Sequence, residues 1–315
     1  MRRLLWRLYA PFVPIVAWLA KLPFRLGGRP WRAYERSGLV PVPLHYYHPY
    51  AREDDPGLAR HWASRSSLAG VSLDVPRCLA LLDEIGGAFA AECAWPERSD
   101  DPHVYHSSNG QFGYASAAVA HAMVRRLRPR RVIEVGSGYS THVLGHALAR
   151  NAAESGGAPE LISIEPHPPE ILSAPIPHLG TRIERNVEDV DPAIFATLGE
   201  GDVLFVDSSH VIRYGGDVLF LYLDVLPSLR PGVVVHIHDI HLPDPYPRVY
   251  YEESRYVWNE QYLLQAFLSH NRAFRVLLPC WLIHREHDAR FRRAFPGYEP
   301  SRHRPGSSMW IERVP

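Results

Sequence analysis

A glycine turn after a short apolar run is the first stretch of this chain whose residues could do chemistry. The ten residues from position 132 read VIEVGSGYST, with Glu134 two residues before Gly136 and a second glycine, Gly138, two residues later. The absent side chains of the glycines let a ligand approach the backbone closely. A helix beginning near Ser140 would add its amide-rich N-terminus to the same site. The stretch therefore predicts a strand, a ligand-binding turn and a helix.

Two classes of ligand fit a glycine turn in this position. A dinucleotide pyrophosphate is usually held by the spacing GxGxxG, and here Thr141 stands where the third glycine would be. The carboxylate of Glu134 would repel a pyrophosphate but attract the ammonium and sulfonium groups of S-adenosylmethionine. Glu165, at the end of the run LISIE, would accept hydrogen bonds from an adenosine ribose in either ligand. Glu134 and Thr141 together favour S-adenosylmethionine.

Acidic and histidine side chains follow two later apolar runs. Asp207 and His210 lie in FVDSSH, and His238 and Asp239 lie in HIHDI. Carboxylates suit Mg²⁺ or Mn²⁺, and such a cation would lower the pKa of an acceptor hydroxyl. His210, three residues past Asp207, is placed to act as a general base. We therefore expect Asp207 and His210 to be catalytic, and Asp207, His238 and Asp239 to be candidate ligands of a divalent cation.

A structural role for the same residues is the alternative. Asp207 would then cap the next helix, and His238 would be a buried core histidine. His236 lies inside the apolar run and is expected to be structural.

The elements that must position these groups alternate between helix and strand from residue 113 onward. The apolar runs predict strands at 131–135, 161–165, 181–186, 202–207, 233–238, 274–278 and 309–314. Helices are predicted between them, at 115–128, 141–150, 192–198, 216–229 and 258–269. This alternation calls for a mostly parallel sheet covered on both faces. Ligands bind beyond the carboxyl ends of such strands, so the groups described above are expected at one sheet edge.

The composition describes a soluble globular protein. The chain has 315 residues, of which 46% are hydrophobic and 22% charged, enough for a sizeable core. Its formal net charge is zero, so no nucleic-acid partner is expected. The cysteines at 78, 93 and 280 are odd in number and form no CxxC pair, which argues against a disulfide framework and a zinc site. A reducing cytoplasm is the expected location.

Residues 1–34 form a basic and apolar N-terminal arm. Seven Lys or Arg residues surround the apolar run 8–20, and no acid precedes Glu35. The run spans 13 residues and contains Pro11 and Pro14, so it is too short for a membrane-spanning helix. Peripheral contact with an anionic inner membrane surface fits this mixture of residues. Packing on the core, or on a second copy in a homo-oligomer, is the alternative.

Residues 35–110 are expected to be an accessory or cap region with one helix near 76–92, and residues 111–315 the ligand-binding domain. Aromatic residues after the fifth strand, at 246, 250, 251, 256 and 258, could wall a substrate pocket. The short segment 257–261 is interpreted only as the opening of a helix. The Arg-rich run 285–304 is interpreted as a solvated surface connection.

The chain resembles the class I S-adenosylmethionine-dependent methyltransferases, particularly a bacterial small-molecule group. The resemblance covers about residues 105–315 and is carried by NGQFGY, EVGSGYST, FVDSSH and HIHDIHLPDPYP. It implies a Rossmann-like α/β fold with a mostly parallel seven-stranded sheet that ends in an antiparallel hairpin. The cofactor-binding set that it implies comprises Glu134, Gly136, Ser137, Gly138, Ser140, Glu165 and Asp207.

The fourth and fifth strand ends also resemble the metal-dependent O-methyltransferases related to catechol O-methyltransferase. There the acid matching Asp207 binds magnesium, and the residue matching His210 is a lysine base. The Asp-Asn pair of that group is replaced here by His238 and Asp239. The resemblance implies methyl transfer to a hydroxyl of a small-molecule acceptor.

Three other functions stay open at the level of the sequence. A metal-dependent oxidase or hydroxylase could use the same fold, and the His238-Asp239 departure is its support. A non-catalytic cofactor-binding protein could be held at a membrane by residues 1–34. A nicotinamide dehydrogenase is disfavoured by Glu134 and Thr141.

Overall fold

A computed structural model describes residues 7–21 and 28–315 of the chain. The chain divides into two compact units, residues 1–61 and residues 62–315. Within the described ranges, no helix is long and apolar enough to cross a bilayer. The predicted arm ended at residue 34, and part of that arm, residues 1–6 and 22–27, lies outside the described residues.

The first unit contains two short helices, α1 (Val13–Ala20) and α2 (Gly28–Arg36). A 3₁₀ turn (Ala10–Phe12) leads into α1, and both elements carry a proline in their first turn. Proline is tolerated there because the first amides of a helix have no partner within it. No residue of α1 is buried. The apolar run predicted from the sequence is therefore a helix with its large side chains exposed.

The second unit, which α3 (Pro56–Ala63) enters, is built from helices on both faces of a seven-stranded sheet. The strands are β1 (Arg131–Val135), β2 (Glu160–Ile164), β3 (Leu179–Ile183), β4 (Val203–Val206), β5 (Val234–His238), β6 (Phe274–Pro279) and β7 (Ser308–Arg313). The larger helices are α4 (Val75–Phe89), α5 (Tyr114–Leu127), α6 (Tyr139–Ser155) and, after a stretch of short elements, α10 (Glu260–Leu268). Between β4 and β5 one helical segment runs through α7 (Asp217–Phe220), a π turn (Leu221–Val225) and α8 (Leu226–Ser228). The shorter helices are α9 (Arg248–Glu252), α11 (Cys280–Glu286) and α12 (Asp288–Ala294).

The strand order is β3-β2-β1-β4-β5-β7-β6. The first five strands are parallel, and β7 runs antiparallel between β5 and β6, pairing Ser308 with His238. This confirms the expected fold, a mostly parallel sheet whose last strands form an antiparallel hairpin. The order reverses between β1 and β4, so the groups after these strands lie at the switch point where ligands bind.

The alternation of side chains along each strand builds two cores. Val132 of β1 packs in the core that contains α4, α5 and α6, whereas Ile133 and Val135 pack in the core on the other face. Both faces of the strand are buried, which explains why it is apolar at successive positions. Glu134, between Ile133 and Val135, faces the same side as Val132.

Residues 62–110 belong to the second unit, which differs from the predicted boundary at residue 110. The reason is α4, whose Leu79, Leu82 and Ile85 lie in the same core as Val132. Because residues 35–110 are rich in prolines and aromatic residues, their sequence did not indicate that α4 packs against the sheet.

The Arg-rich run 285–304 was wrongly predicted as a solvated connection along its whole length. It includes the end of α11 and all of α12, and Phe291 of α12 is 1% exposed. Arg290 pairs with Asp83 of α4 across 207 positions of sequence. Arg290, Arg292 and Arg293 therefore lie on the outer face of a packed helix.

Candidate functional site

The turn after β1 requires glycine at position 136. Gly136 has φ +80°, and a Cβ there would collide with the backbone oxygen of Asp207 after β4. Its amide donates to the oxygen of Ile164 in β2 at 3.0 Å. The turn is thus wedged between two neighbouring strand ends, and a bare backbone faces the space above the sheet.

Glu134 holds this turn from beneath. Its carboxylate accepts hydrogen bonds from the hydroxyls of Ser140 and Thr141, both at 2.7 Å, and Thr141 accepts from the Gly138 amide at 3.0 Å. Glu134 is 0% exposed, and burial raises its pKa to about 7. The carboxylate therefore organises the turn and the start of α6 rather than lining the space above it.

Glu165 follows β2 and stands beside the turn. One carboxylate oxygen accepts from the Ser137 amide at 3.2 Å, and the other accepts from the His167 amide at 2.7 Å. Ser163 supports this arrangement with a 2.7 Å hydrogen bond to the Ser137 hydroxyl. A carboxylate fixed by two backbone amides keeps further lone pairs for the hydroxyls of a ligand.

A cavity of about 980 Å³ lies beyond the carboxyl ends of the strands. Six of the seven predicted cofactor-binding residues line it; these are Gly136, Ser137, Gly138, Ser140, Glu165 and Asp207. Glu134 is the seventh and acts from behind the turn, as described above. The motif NGQFGY forms part of the wall, where the Asn109 side chain accepts from the Phe112 amide at 2.7 Å and so shapes the loop.

Asp207 and His210 come together after β4, as predicted. The His210 Nε2 lies 3.4 Å from Asp207 Oδ1 and 3.8 Å from Asp239 Oδ2, so this ring nitrogen faces both carboxylates. His210 and Asp239 both have left-handed backbone conformations, with φ values of 60° and 50°. Strained backbone that persists beside a cavity is typical of functional sites.

Glu260 completes this cluster. Its Oε2 lies 2.8 Å from His210 Nδ1, it is 0% exposed, and the Glu260 and Asn259 amides both donate to the His210 carbonyl. Burial alone lowers the pKa of His210, but the carboxylates of Asp207 and Glu260 outweigh it and hold that pKa well above its usual value. The sequence analysis missed Glu260, because a lone acid at a helix start carries no spacing signal.

The candidate metal site at Asp207, His238 and Asp239 does not hold in the structure. In the part of the chain that the structure describes, no three or more His, Cys, Asp or Glu side chains are grouped to hold a metal ion. The His210 Nε2 faces both carboxylates at 3.4 and 3.8 Å, and the His238 Nε2 is 3.8 Å from Asp239. These side chains do not fit a cation site.

The two histidines of the fifth strand, His236 and His238, are buried. The His236 ring stacks on Phe205 at 3.9 Å and is 0% exposed, and burial lowers its pKa well below the usual value. It is structural, as expected. His238 lines the cavity and packs against Phe112 at 5.1 Å between ring centroids.

Aromatic residues line another part of the cavity. The His210 ring contacts Trp258 at 4.5 Å, and Trp258 in turn meets Tyr250 at 5.0 Å and Tyr256 at 5.2 Å between centroids. We call Tyr250, Tyr256 and Trp258 the aromatic wall. Of the five aromatic residues predicted to wall a pocket, these three line the cavity, whereas Tyr246 and Tyr251 do not. Trp281, Arg302 and Arg304 also line it and were not predicted from the sequence.

The central segment of the chain matches a known protein family. Residues 133–240 match a family described as a methyltransferase domain. An uncharacterized protein of Archaeoglobus fulgidus is 30% identical over 139 residues, which cover 43% of this chain. The match spans 61% of that relative's length.

Two solved structures match this chain at low sequence identity. The S-adenosylhomocysteine-bound methyltransferase PaMTH1 of Podospora anserina is 15% identical, with 84% of this chain and 99% of that chain covered and a TM-score of 0.41. The apo-structure of CmcI-N160 is 16% identical, with 64% and 71% covered and a TM-score of 0.35.

Proposed function

Because this chain carries a class I, S-adenosylmethionine-dependent methyltransferase domain, we propose that it transfers a methyl group from S-adenosylmethionine to a hydroxyl oxygen of a small molecule. One observation supports this most strongly. A single cavity is lined by the glycine turn and Glu165 on the cofactor side and by Asp207 and Asp239 beside the buried His210.

The cofactor side suits S-adenosylmethionine. The bare backbone of Gly136 and Gly138 leaves room for the methionine part, and the Glu165 carboxylate is oriented to accept from ribose hydroxyls. When bound, S-adenosylmethionine supplies an electrophilic methyl group and a neutral sulfide leaving group.

The acceptor side suits a hydroxyl. As the acceptor oxygen forms its bond to the methyl carbon and the carbon–sulfur bond breaks, the hydroxyl proton must leave, and the neutral form of His210, beside Asp207, is the group placed to take it. Glu260 orients the His210 ring and balances the charge that it gains. The aromatic wall offers rings on which an acceptor can pack.

The binding test is calorimetric titration with S-adenosylhomocysteine, and in parallel with NAD. We expect S-adenosylhomocysteine to bind and NAD not to bind. Glu165→Gln should weaken binding about tenfold or more, because a charged hydrogen-bond partner of the ribose is lost. Glu170→Gln, an exposed carboxylate on the following loop, is the matched control. A folded protein that binds NAD instead, or neither compound, would overturn the proposal.

The catalytic test uses radiolabelled S-adenosylmethionine and a panel of small hydroxyl compounds. Methyl transfer by the wild type and its loss in His210→Gln, with S-adenosylhomocysteine binding retained, is the expected result. Turnover that His210→Gln leaves unchanged would count against His210 as the proton acceptor.

We further propose that the protein is cytoplasmic and touches the inner membrane surface through its first unit. Leu8, Phe12, Ile15 and Trp18 are each more than half exposed, and Arg7 and Lys21 flank them. Exposed apolar groups beside basic ones suit an anionic lipid surface. The three cysteines are free, which agrees with a reducing compartment.

Vesicle sedimentation tests the membrane contact. We expect the full chain to bind vesicles containing phosphatidylserine and not neutral vesicles, and Ile15→Asp to abolish the binding. Leu223→Asp, which places the same change at an equally exposed leucine of the second unit, is the control. The protein could instead form concentration-dependent dimers that Ile15→Asp dissociates, and bind no vesicles. That result would show that this surface binds a second copy of the chain rather than lipid.

A further inference from the structure

The acceptor part of the cavity contains a positive charge that methyl transfer to a hydroxyl does not need. Arg302 and Arg304 both line the cavity and are both exposed. They precede β7 and were interpreted from the sequence as part of a solvated connection. Their position on the same cavity as Asp207 and Asp239 raises the question of what they face when an acceptor is bound.

The two arginines differ in their partners. Arg302 is already opposed by acids, with its guanidinium 3.2 Å from Glu299 and 3.7 Å from Glu97. Arg304 has no ion pair or hydrogen bond with any residue that the structure describes. A guanidinium that is unpaired at the edge of a cavity is suited to a carboxylate or phosphate of a ligand.

Arg304 is close to the reaction centre. The Ser307 hydroxyl donates to Asp239 Oδ1 at 2.8 Å, and the Ile240 amide donates to the Ser307 carbonyl at 2.8 Å. Three residues of extended chain span at most about 10 Å, so the backbone of Arg304 is held within that distance of Ser307.

Tyr250 lies within electrostatic reach of both Asp239 and Arg304. The pKa of Tyr250 is raised, first by burial and then by the charge of Asp239, and the charge of Arg304 offsets part of this rise. Both charged groups therefore act on the Tyr250 hydroxyl. The same ring belongs to the aromatic wall, which begins at His210. A series of aromatic rings therefore leads from His210 toward the unpaired guanidinium of Arg304.

We propose that the acceptor is a ring-shaped hydroxy compound with an anionic group, whose hydroxyl meets His210 and Asp207 and whose carboxylate or phosphate meets Arg304. The inference rests on the proposed methyltransferase function and deepens it. The ring of the acceptor packs on the aromatic wall, and Arg304 selects against neutral molecules of the same shape.

The test compares probes that differ in charge but hardly in shape. Protein saturated with S-adenosylhomocysteine is titrated with 4-hydroxybenzoate, with 4-hydroxyphenyl phosphate and with the neutral 4-hydroxybenzamide. At least one anion should bind about fivefold or more tightly than the amide, an advantage set by a charge-assisted hydrogen bond in a partly exposed position. The tighter anion distinguishes carboxylate from phosphate recognition, and added salt should reduce the advantage.

Variants locate the effect. Arg304→Gln should bring the three affinities within about twofold of one another, and Arg304→Lys should keep part of the preference. Arg230→Gln is the matched control, because Arg230 is an exposed arginine that precedes β5 and lies outside the cavity. It should keep the full preference.

The outcomes separate this inference from the proposed function. Three outcomes would overturn the anionic acceptor alone, provided that S-adenosylhomocysteine binds. The protein could bind no probe, it could bind the anions no more tightly than the amide, or its preference for an anion could survive Arg304→Gln. Failure of S-adenosylhomocysteine to bind in the first step overturns the proposed function itself.

Discussion

Glu260 Oε2 lies 2.8 Å from Nδ1 of His210, and the carboxylate that makes this contact is wholly buried. The other ring nitrogen of His210 faces Asp207 and Asp239. The imidazole is therefore fixed at one end by a helix and directed at the other toward the cavity. In the proposed mechanism Glu260 is a positioning residue, since it acts through His210.

Glu260→Gln should lower kcat about tenfold to a hundredfold and leave the affinity for S-adenosylhomocysteine unchanged, because only the orientation and basicity of His210 are affected. Loss of the carboxylate lowers the pKa of His210, so the rise of the rate with pH should move to lower pH. The measurement is a pH–rate profile of the variant beside that of Glu253→Gln, an exposed acid before α10. An unshifted profile would show that Glu260 is only structural.

Gly136→Ala should destabilise the protein by about 2 kcal/mol or more and remove cofactor binding, because the added Cβ meets the Asp207 backbone at a positive φ. Gly156→Ala is the matched control: Gly156 has φ +70° but open space around it, so that variant should keep full affinity. Thermal unfolding and calorimetry measure both effects. Equal behaviour of the two variants would argue against a close approach at the turn.

Ionisation of Glu134 should make stability depend on pH. Burial raises its pKa from 4.5 to about 7 in the folded protein, so the folded state binds the proton more tightly and loses stability as pH rises through this interval. From about pH 5 to about pH 8, Glu134→Gln should gain about 2 to 3 kcal/mol relative to the wild type. Urea unfolding at several pH values measures this gain, with Glu170→Gln as the control. A difference that stays constant with pH would contradict it.

Chelation should not change methyl transfer or cofactor affinity. The His210 Nε2 faces both Asp207 and Asp239, the carboxylates that a cation would have to bind. The measurement is turnover after treatment with EDTA and after readdition of Mg²⁺ or Mn²⁺. Loss of turnover that either ion restores would mean that the imidazole moves aside for a metal.

The cofactor side could be predicted from the sequence because its signals are local. Gly136 and Gly138 follow an apolar strand at fixed spacing, and Glu165 ends the next strand. Parallel strands bring such ends together without further information. The orientation of Glu134 differs from the prediction that its carboxylate faces the ligand. The carboxylate accepts hydrogen bonds from Ser140 and Thr141 beneath the turn instead.

The acceptor side could not be predicted because its contacts join distant parts of the chain. Glu260 reaches His210 across 50 positions, and Ser307 reaches Asp239 across 68. Arg304 lies in a run whose charge suggested solvent, and no periodicity links it to the cavity. Such pairs are set by packing between elements, which a single sequence does not state.

The position of β7 has a consequence for synthesis. This strand is the last of the seven along the chain, yet it lies between β5 and β6, and the residue before it holds Asp239. A growing polypeptide that has already produced the glycine turn, Asp207 and His210 still lacks the strand that joins β6 to the sheet. The reaction centre is therefore assembled late, when residues 307–313 have left the ribosome.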